Sequence, residues 1–303
     1  FYGIGDIDVV KKNLYKVGDT VLVSAAYNDT GMASYYITDY VRTKSLKILF
    51  FLFVAILLIV GRWKGFRSML ALSISFFVIL KFIVPKIIAG SNPILITLIG
   101  SLIIFIASIY ITEGFSKISH IAIVSVTISL AITIFLSWLF VELSKLSGLA
   151  NEEAGSLIMV GQNMLNFKGL LLAGIIIGAL GVLDDVVISQ AATVEEIHRT
   201  DPGLSKKALF ERAFRVGLSH ISSMTNTLFL AYAGVSLPLI ILFTTGQSAM
   251  NSYAQIINNE DIATEIVRTL AASVGLILAV PIATFVAVWW FKKGQQTTKN
   301  ISH

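Results

Sequence analysis

The chain has 303 residues, of which 55% are hydrophobic and 14% are charged, and its net charge is +5. A soluble domain is about one quarter charged, so this composition indicates a polytopic membrane protein. Cysteine is absent, which excludes a disulfide framework, a thiolate metal site and a cysteine nucleophile. The basic excess is typical of the cytoplasmic loops of membrane proteins, and we expect no nucleic-acid partner.

Residues 1–45 are predicted to form part of a small extracytoplasmic β module. An apolar run at 21–23 is followed by turn-forming residues at 28–31 and then by the aromatic stretch "MASYYITDYV". This order predicts a β-hairpin. An isolated hairpin is marginally stable, so we expect further strands or docking on the membrane part to complete it. Because the first residue is Phe1, we expect the chain to be a fragment of a longer protein.

Residues 46–303 are predicted to form an all-α polytopic membrane helix bundle. Apolar blocks close to the length of about 20 residues that a crossing requires recur along this part of the chain. The seven predicted spans lie near 46–61, 69–88, 93–111, 121–141, 169–189, 216–233 and 266–290.

The placement of Lys and Arg predicts the orientation of these spans. The basic residues that follow spans one, three, five and seven fall on one side, which is therefore predicted to be cytoplasmic. They are Arg62, Lys64, Arg67, Lys117, Arg199, Lys206, Lys207, Arg212, Arg215, Lys292, Lys293 and Lys299. The protein is thus expected in the cell membrane, with the N-terminal module outside and the C-terminus in the cytoplasm.

Two segments do not fit simple spans. Residues 151–168 are half apolar, which suits either an amphipathic surface helix or a re-entrant turn. Residues 234–246 begin at Gly234 and contain Pro238, which suits either a kinked extension of span six or a half-helix that enters from outside. Broken helices recur at transporter sites, and they also occur as plain packing kinks.

Two adjacent carboxylates, Asp184 and Asp185, lie in span five after a run without charge. Asp185 shares a helix face with Gly174, Gly178 and Gly181, and such small residues allow a second helix to approach closely. This pattern predicts that Asp185 points toward a neighbouring helix, with Asp184 about 100° around the helix at the flank of the same contact.

Span six is the expected partner, because its first turns are rich in polar residues. Ser223 and Asn226 share one face, and His220, Ser223 and Thr227 share an overlapping face. His220 is predicted at the depth of Asp185, so an Asp–His pair is geometrically reasonable. The predicted ion- or substrate-binding residues are Asp184, Asp185, His220, Ser223, Asn226 and Thr227.

A structural role for these groups is the alternative. A face rich in Ser, Thr and Asn often serves as hydrogen-bonding glue between helices. Asp185 could pair structurally with His220 or with backbone amides. Asp184 could look into the cytoplasmic headgroup zone, where the basic residues of the next loop would neutralise it. Intramembrane acids nevertheless favour function by default.

Four blocks of the chain resemble the YibE/F-like family of bacterial multi-pass membrane proteins. They are "GRWKG" at 61–65, "AGIIIGALGVLDDVVISQAATVEEI" at 173–197, "SMTNTLFLAYAGVSLPL" at 223–239 and "NNEDIATEIVRTLAASVGLILAVPIAT" at 258–284. The resemblance implies an integral plasma-membrane protein of permease-like character, with an eighth span in the missing N-terminal sequence. The family pattern has a single Asp in span five, whereas this chain has "LDD".

The leading hypothesis is a transporter or channel for a small cation, a proton or a small solute. The alternative is a membrane scaffold or accessory subunit that binds a partner through the outer β module. We expect no enzyme, because no HExxH motif, nucleophile elbow or P-loop is present and adjacent acids on one helix share a proton poorly. No cofactor is expected, and the pattern leaves metal binding open. The expected partners are the lipid bilayer and either a paralogous membrane subunit or further copies of the chain.

Overall fold

The protein is described here by a computed structural model, which covers residues 15–27, 33–150, 152–159, 165–245 and 252–301. The chain forms two compact units, Phe1–Phe66 and Arg67–His303.

The first unit contains the predicted hairpin. Strand β1 (Val21–Tyr27) pairs with strand β2 (Ala33–Tyr40) in antiparallel fashion, with Val21 opposite Tyr40. The predicted turn at 28–31 lies outside the described residues. The Arg42 guanidinium, 2.7 Å from Asp39, holds the pKa of that carboxyl below its usual range. The sheet has only these two strands among the described residues.

Helix α1 (Thr43–Val78) follows the sheet and is broken at Arg62, whose φ of 48° and ψ of −128° are not helical. A Cβ added at Gly65 would overlap the carbonyl oxygen of Leu57. Eight residues of straight helix would separate these two positions by about 12 Å. The chain therefore changes direction at Arg62, and α1 consists of two helical segments. A π-helical turn (Ile79–Ile83) then leads into α2 (Val84–Ile88).

The second unit is helical. Its helices after α2 are α3 (Pro93–Thr112), α4 (Lys117–Leu143), α5 (Glu152–Met159), α6 (Phe167–Thr200), α7 (Lys206–Val235), α8 (Leu237–Thr244), α9 (Tyr253–Ile257) and α10 (Glu260–Ile301). Four of the long helices begin after an Asn or Ser whose side chain accepts a hydrogen bond from the first turn, which satisfies a free backbone donor. These capping residues are Asn92, Ser116, Asn166 and Ser205.

Five helical stretches of the described chain are long and apolar enough to cross a membrane, compared with the seven predicted spans. They are Thr43–Ile88, Pro93–Thr112, Lys117–Leu143, Phe167–Thr200 and Glu260–Lys292. The first stretch contains both of the first two predicted spans. Helix α7, which contains the predicted sixth span, is absent from the five because its sequence is more polar. The all-helical membrane part and the small N-terminal sheet agree with the sequence prediction.

Helices α4, α6 and α10 form the centre of the second unit, and α4 carries a stripe of buried hydroxyl residues that meets α10 at Thr133. Ser125, Ser129, Thr133 and Ser137 are fully buried, and each hydroxyl donates to the carbonyl four residues earlier at 2.7–2.9 Å. Because the hydroxyls are satisfied within α4, they act as small side chains that permit close approach. A Cβ added at Gly275 of α10 would overlap Oγ1 of Thr133.

The segments that did not fit simple spans are only partly described. Helix α5 covers eight residues of the segment 151–168, and residues 160–164 lie outside the described part. Helix α8 lies in the segment 234–246 and is separated from α7 at Ser236, with Pro238 in its first turn. Proline is tolerated in the first turn because the backbone donors there have no helical partner.

Candidate functional site

Asp184 lies on the face of α6 that packs toward α3. Its neighbours on that face, Ile177 and Ile188, pack against a cluster that includes Phe105 of α3 and Leu130 of α4. The N-terminal ends of α3 and α6 lie side by side, since a Cβ added at Gly169 would lie 3.0 Å from Pro93. When residues are counted along both helices from this contact at the same rise per residue, Asp184 of α6 and Ser108 of α3 lie at the same height.

One oxygen of the Asp184 carboxylate has no hydrogen-bond partner in the described part of the chain. This oxygen, Oδ1, is buried. The charged side chains that act on it are Asp185 and Glu113, the C-terminal cap of α3, and both are acidic. A buried carboxylate without a donor or a basic partner is costly. A bound proton or cation would relieve this cost.

The basic residues after α6 do not neutralise Asp184 in the described part of the chain. Arg199 pairs with Glu196 at 2.9 Å, and Arg212 pairs with Asp201 at 3.4 Å. Lys292 of α10 donates to the carbonyl of Pro202 at 2.7 Å. These contacts lie around the connection between α6 and α7 and at the end of α10, so the alternative in which loop charges compensate Asp184 finds no support in the geometry.

The glycine face of α6 is more open than the sequence predicted. A Cβ added at Gly174 or Gly181 would meet no atom within 4 Å, and both residues are exposed, as is Asp185. Gly178 has a close neighbour, because its added Cβ would lie 3.1 Å from the Tyr232 hydroxyl of α7. The prediction that Asp185 points toward a neighbouring helix stays a prediction, since only Gly178 on this face has a close neighbour, while the large apolar side chains of α6 are buried on its other faces.

Helices α6 and α7 run antiparallel beside this face. Gly178 lies near Tyr232, and Ser189 Oγ lies 3.4 Å from Nδ1 of His220. Between these two contacts, Asp185 comes level with Thr225, whose Oγ1 is buried and makes no hydrogen bond to a described residue. We call the space beside Gly174, Gly181 and Asp185 the α6–α7 groove.

The predicted polar residues of α7 divide into two sets. His220 is half-buried and contacts Ser189, one helical turn beyond Asp185, rather than an aspartate. Ser223, Asn226 and Thr227 are exposed, and the Thr227 hydroxyl donates to the Ser223 carbonyl at 3.0 Å. Among the described residues, none of these three side chains hydrogen-bonds to an aspartate of α6, and their role in the site stays a prediction. The packed face of α7 instead contains the small and apolar residues Leu209, Ala213, Gly217 and Leu228.

Gln190 was not among the predicted site residues. It is fully buried, and its Nε2 donates to the Ala213 carbonyl at 3.0 Å and to Thr284 Oγ1 at 2.8 Å. Its Oε1 has no partner among the described residues and faces Gly217, whose added Cβ would lie 2.8 Å from it. The sequence feature that could have identified Gln190 is its position as the single carboxamide side chain in the apolar run at the end of span five.

No group of three or more His, Cys, Asp or Glu residues within the described ranges is arranged to hold a metal ion. Asp184 offers one buried oxygen, and the three acids Asp184, Asp185 and Glu113 therefore do not form a chelating set. The arrangement can bind a proton or a weakly coordinated cation, because one carboxylate suffices for either.

Comparison with known proteins yields one match. No curated protein and no solved structure is significantly similar to the chain. The sequence profile of the YibE/F-like protein family matches residues 49–293, which include all of α3 to α9 and both aspartates of α6. With this match over most of its length, and with helices that can span a membrane, the chain is an integral membrane protein of the YibE/F-like family.

Proposed function

We propose that this protein is a transporter or channel for a small cation, a proton or a small solute, with Asp184 as the intramembrane binding group. The observation that carries the proposal is the buried Oδ1 of Asp184, which has no hydrogen-bond partner among the described residues and has acidic neighbours. Intramembrane acids in such surroundings are expensive, and they mark ion and proton pathways in membrane proteins.

The α6–α7 groove supplies the path in this proposal. Its α6 wall has no side chains at Gly174 and Gly181, and Asp185 borders it. On α7, Ser223, Asn226 and Thr227 are exposed at the depth where hydrocarbon would surround a lipid-facing helix. Polar side chains at that depth favour a water-filled path over lipid contact.

The proposed topology has seven crossings in the cell membrane. The stretch Thr43–Ile88 contains 46 residues, which would be about 69 Å long if straight, more than twice the hydrocarbon thickness of about 30 Å. The change of direction at Arg62 supports two crossings within it. Helix α7 runs antiparallel to α6, which supports a crossing despite its polarity. The N-terminal module is then outside and the C-terminus cytoplasmic.

Flux into proteoliposomes tests the proposal. Purified protein is reconstituted, and a pH-sensitive dye and isotopic Na⁺ and K⁺ report the entry of protons and cations. Asp184→Asn should reduce the flux at least about tenfold, because it removes the charge that binds the ion. Asp185→Asn should reduce it less, since Asp185 is exposed. Glu142→Gln, which changes an exposed acid paired with Lys168, is the matched control and should transport normally. Wild-type flux through Asp184→Asn would contradict the proposal.

A second candidate, a partner-binding membrane scaffold, is favoured by the exposure of the hairpin. Leu22 of β1 and Tyr35 of β2 are 54% and 62% exposed, respectively. This function predicts that the purified chain carries a stoichiometric partner and supports no flux. Tyr35→Asp should release that partner, as measured by native mass spectrometry, whereas the transport function predicts no effect of this change on flux.

A further inference from the structure

A cavity lies between α7, α8 and α10, and Asp184 is not among the residues that line it. It has a volume of about 260 Å³ and is lined by Phe229 and Tyr232 of α7, Ile240 of α8, and Glu265, Ile266 and Thr269 of α10, among others. Its walls are almost entirely apolar. An apolar cavity of about 150 Å³ can hold benzene, so this one has room for an aromatic ring with a short side arm.

Among the described residues that line this cavity, Glu265 is the only Asp, Glu, Lys or Arg. Its Oε1 lies 3.5 Å from the guanidinium of Arg268, while its Oε2 is buried and makes no hydrogen bond to a described residue. Arg268 borders a different cavity of about 130 Å³, together with Gly174 and Phe167. Arg268 therefore borders the cavity of about 130 Å³, and the carboxylate of Glu265 borders the cavity of about 260 Å³.

We propose that the cavity between α7, α8 and α10 binds an amphiphile that combines an apolar body with a primary ammonium group. The apolar walls take the body, and the ammonium donates to the unpartnered Oε2 of Glu265 after a small shift of that side chain. An anion is disfavoured by the carboxylate, and a neutral hydrocarbon leaves Oε2 without a donor. The rings of Phe229 and Tyr232 attract a cation further.

This cavity shares Tyr232 with the α6–α7 contact, but it does not include Asp184, and the binding proposal does not depend on the transport proposal. The same chemistry is available from a free aromatic or alkyl amine and from the ethanolamine headgroup of a lipid. The cavity lies beside α8, whose residues Leu237 and Ile241 are exposed and apolar, so a lipid or a membrane-dissolved amine can reach it from the bilayer.

Calorimetric titration tests the proposal with the full chain in phosphatidylcholine nanodiscs, after subtraction of empty nanodiscs. The probe is 2-phenylethylamine, and its neutral counterpart is 2-phenylethanol. The amine should bind more tightly than the alcohol. Glu265→Gln should weaken amine binding about tenfold or more, as expected for a charge-assisted hydrogen bond, and should leave alcohol binding unchanged.

A second variant fills the cavity without touching Glu265. Ile240→Trp adds volume from the exposed helix α8 and should weaken both probes, so the test remains decisive if Glu265→Gln fails to fold. Equal binding of the two probes to the wild-type protein, or unchanged amine binding by either folded variant, would overturn the proposal.

Nanodiscs that also contain phosphatidylethanolamine distinguish the two sources of the ammonium group. A weaker apparent affinity for 2-phenylethylamine in these nanodiscs assigns the site to a lipid headgroup. An unchanged affinity assigns it to free amines.

Discussion

Gln190 connects three helices through a single carboxamide. Its two donated hydrogen bonds reach the Ala213 carbonyl of α7 and Thr284 of α10, while its own backbone belongs to α6. The Thr284 hydroxyl in turn donates to the Val280 carbonyl at 2.7 Å. Because no water or lipid can replace these bonds at a fully buried position, the carboxamide should stabilise the junction of the three helices.

Shortening this side chain should therefore destabilise the protein. We expect Gln190→Ala to lower the free energy of unfolding by about 2–4 kcal/mol, since it removes two hydrogen bonds and leaves a cavity. Thr284→Val removes one of those bonds and should cost about 1 kcal/mol. Thermal unfolding in detergent micelles, followed by circular dichroism, measures both effects.

Ser222→Ala is the matched control for these changes, because it alters a polar side chain on the exposed face of α7. Its effect should be within about 0.5 kcal/mol. If Gln190→Ala unfolds at the same temperature as the control, the carboxamide does not hold the three helices together.

Asp184 and Asp185 show how much of a site can be predicted from the sequence of one helix. The adjacency of Asp184 and Asp185 in an apolar run was sufficient to identify both as candidates. The inward position of Asp185 stays a prediction, because helical periodicity says which residues share a face but not how closely a neighbour approaches it; Asp185 is exposed and Asp184 is partly buried. The large side chains Leu180 and Leu183 pack in the core with α3 and α4, and they carry Asp184 toward α3.

The contact between α4 and α10 depends on small residues from both helices. The hydroxyl stripe of α4 and Gly275 of α10 meet at Thr133, where the two backbones approach closely. In a membrane, helix association relies on such packing, because lipid tails are as apolar as the helices themselves. The seam between these helices should therefore tolerate little additional volume.

Two glycine substitutions test how much additional volume the contact between α4 and α10 tolerates. Gly275→Ala should destabilise the protein by about 1–3 kcal/mol, because the new methyl group overlaps the Thr133 hydroxyl and forces a backbone shift. Gly181→Ala, in the open α6–α7 groove, should be neutral or stabilising by up to about 1 kcal/mol, because alanine favours the helix. Thermal unfolding midpoints of the two variants provide the comparison.

The double variant Thr133→Ala, Gly275→Ala isolates the pairwise contact. Removal of Oγ1 should recover part of the loss, so the two changes should be non-additive by about 0.5 kcal/mol or more. Strict additivity would indicate that Gly275 is needed for a reason other than its contact with Thr133.

At the scale of the whole molecule, the number and direction of the membrane crossings determine on which side of the membrane each exposed residue lies. The predicted cytoplasmic side carries Lys64 and Lys207, and the predicted outer side carries Lys145 and Asn258. All four residues are exposed. The chain contains no cysteine, so a single introduced cysteine is a clean reporter of the side on which it lies.

Single-cysteine variants at these positions should separate cleanly in intact cells. Lys145→Cys and Asn258→Cys should react with a membrane-impermeant maleimide added outside. Lys64→Cys and Lys207→Cys should react only after the cells are permeabilised, which also provides their positive control. Labelling of Lys64→Cys from outside would contradict the turn at Arg62 as a cytoplasmic connection, and labelling of Lys207→Cys from outside would contradict a crossing by α7.

The sequence by itself determined the membrane class, the helical architecture, the small N-terminal hairpin, the family and the presence of an acidic pair in span five. These features depend on composition, on apolar periodicity and on local motifs, which each segment carries independently of its neighbours. Only the tertiary structure decided that α6 has no close neighbour at Gly174 and Gly181, that Asp184 is partly buried while Asp185 is exposed, and that Ser223, Asn226 and Thr227 of α7 are exposed. These outcomes depend on which apolar surfaces compete most strongly for the core, because a helix rotates to bury its largest side chains against whichever helices surround it.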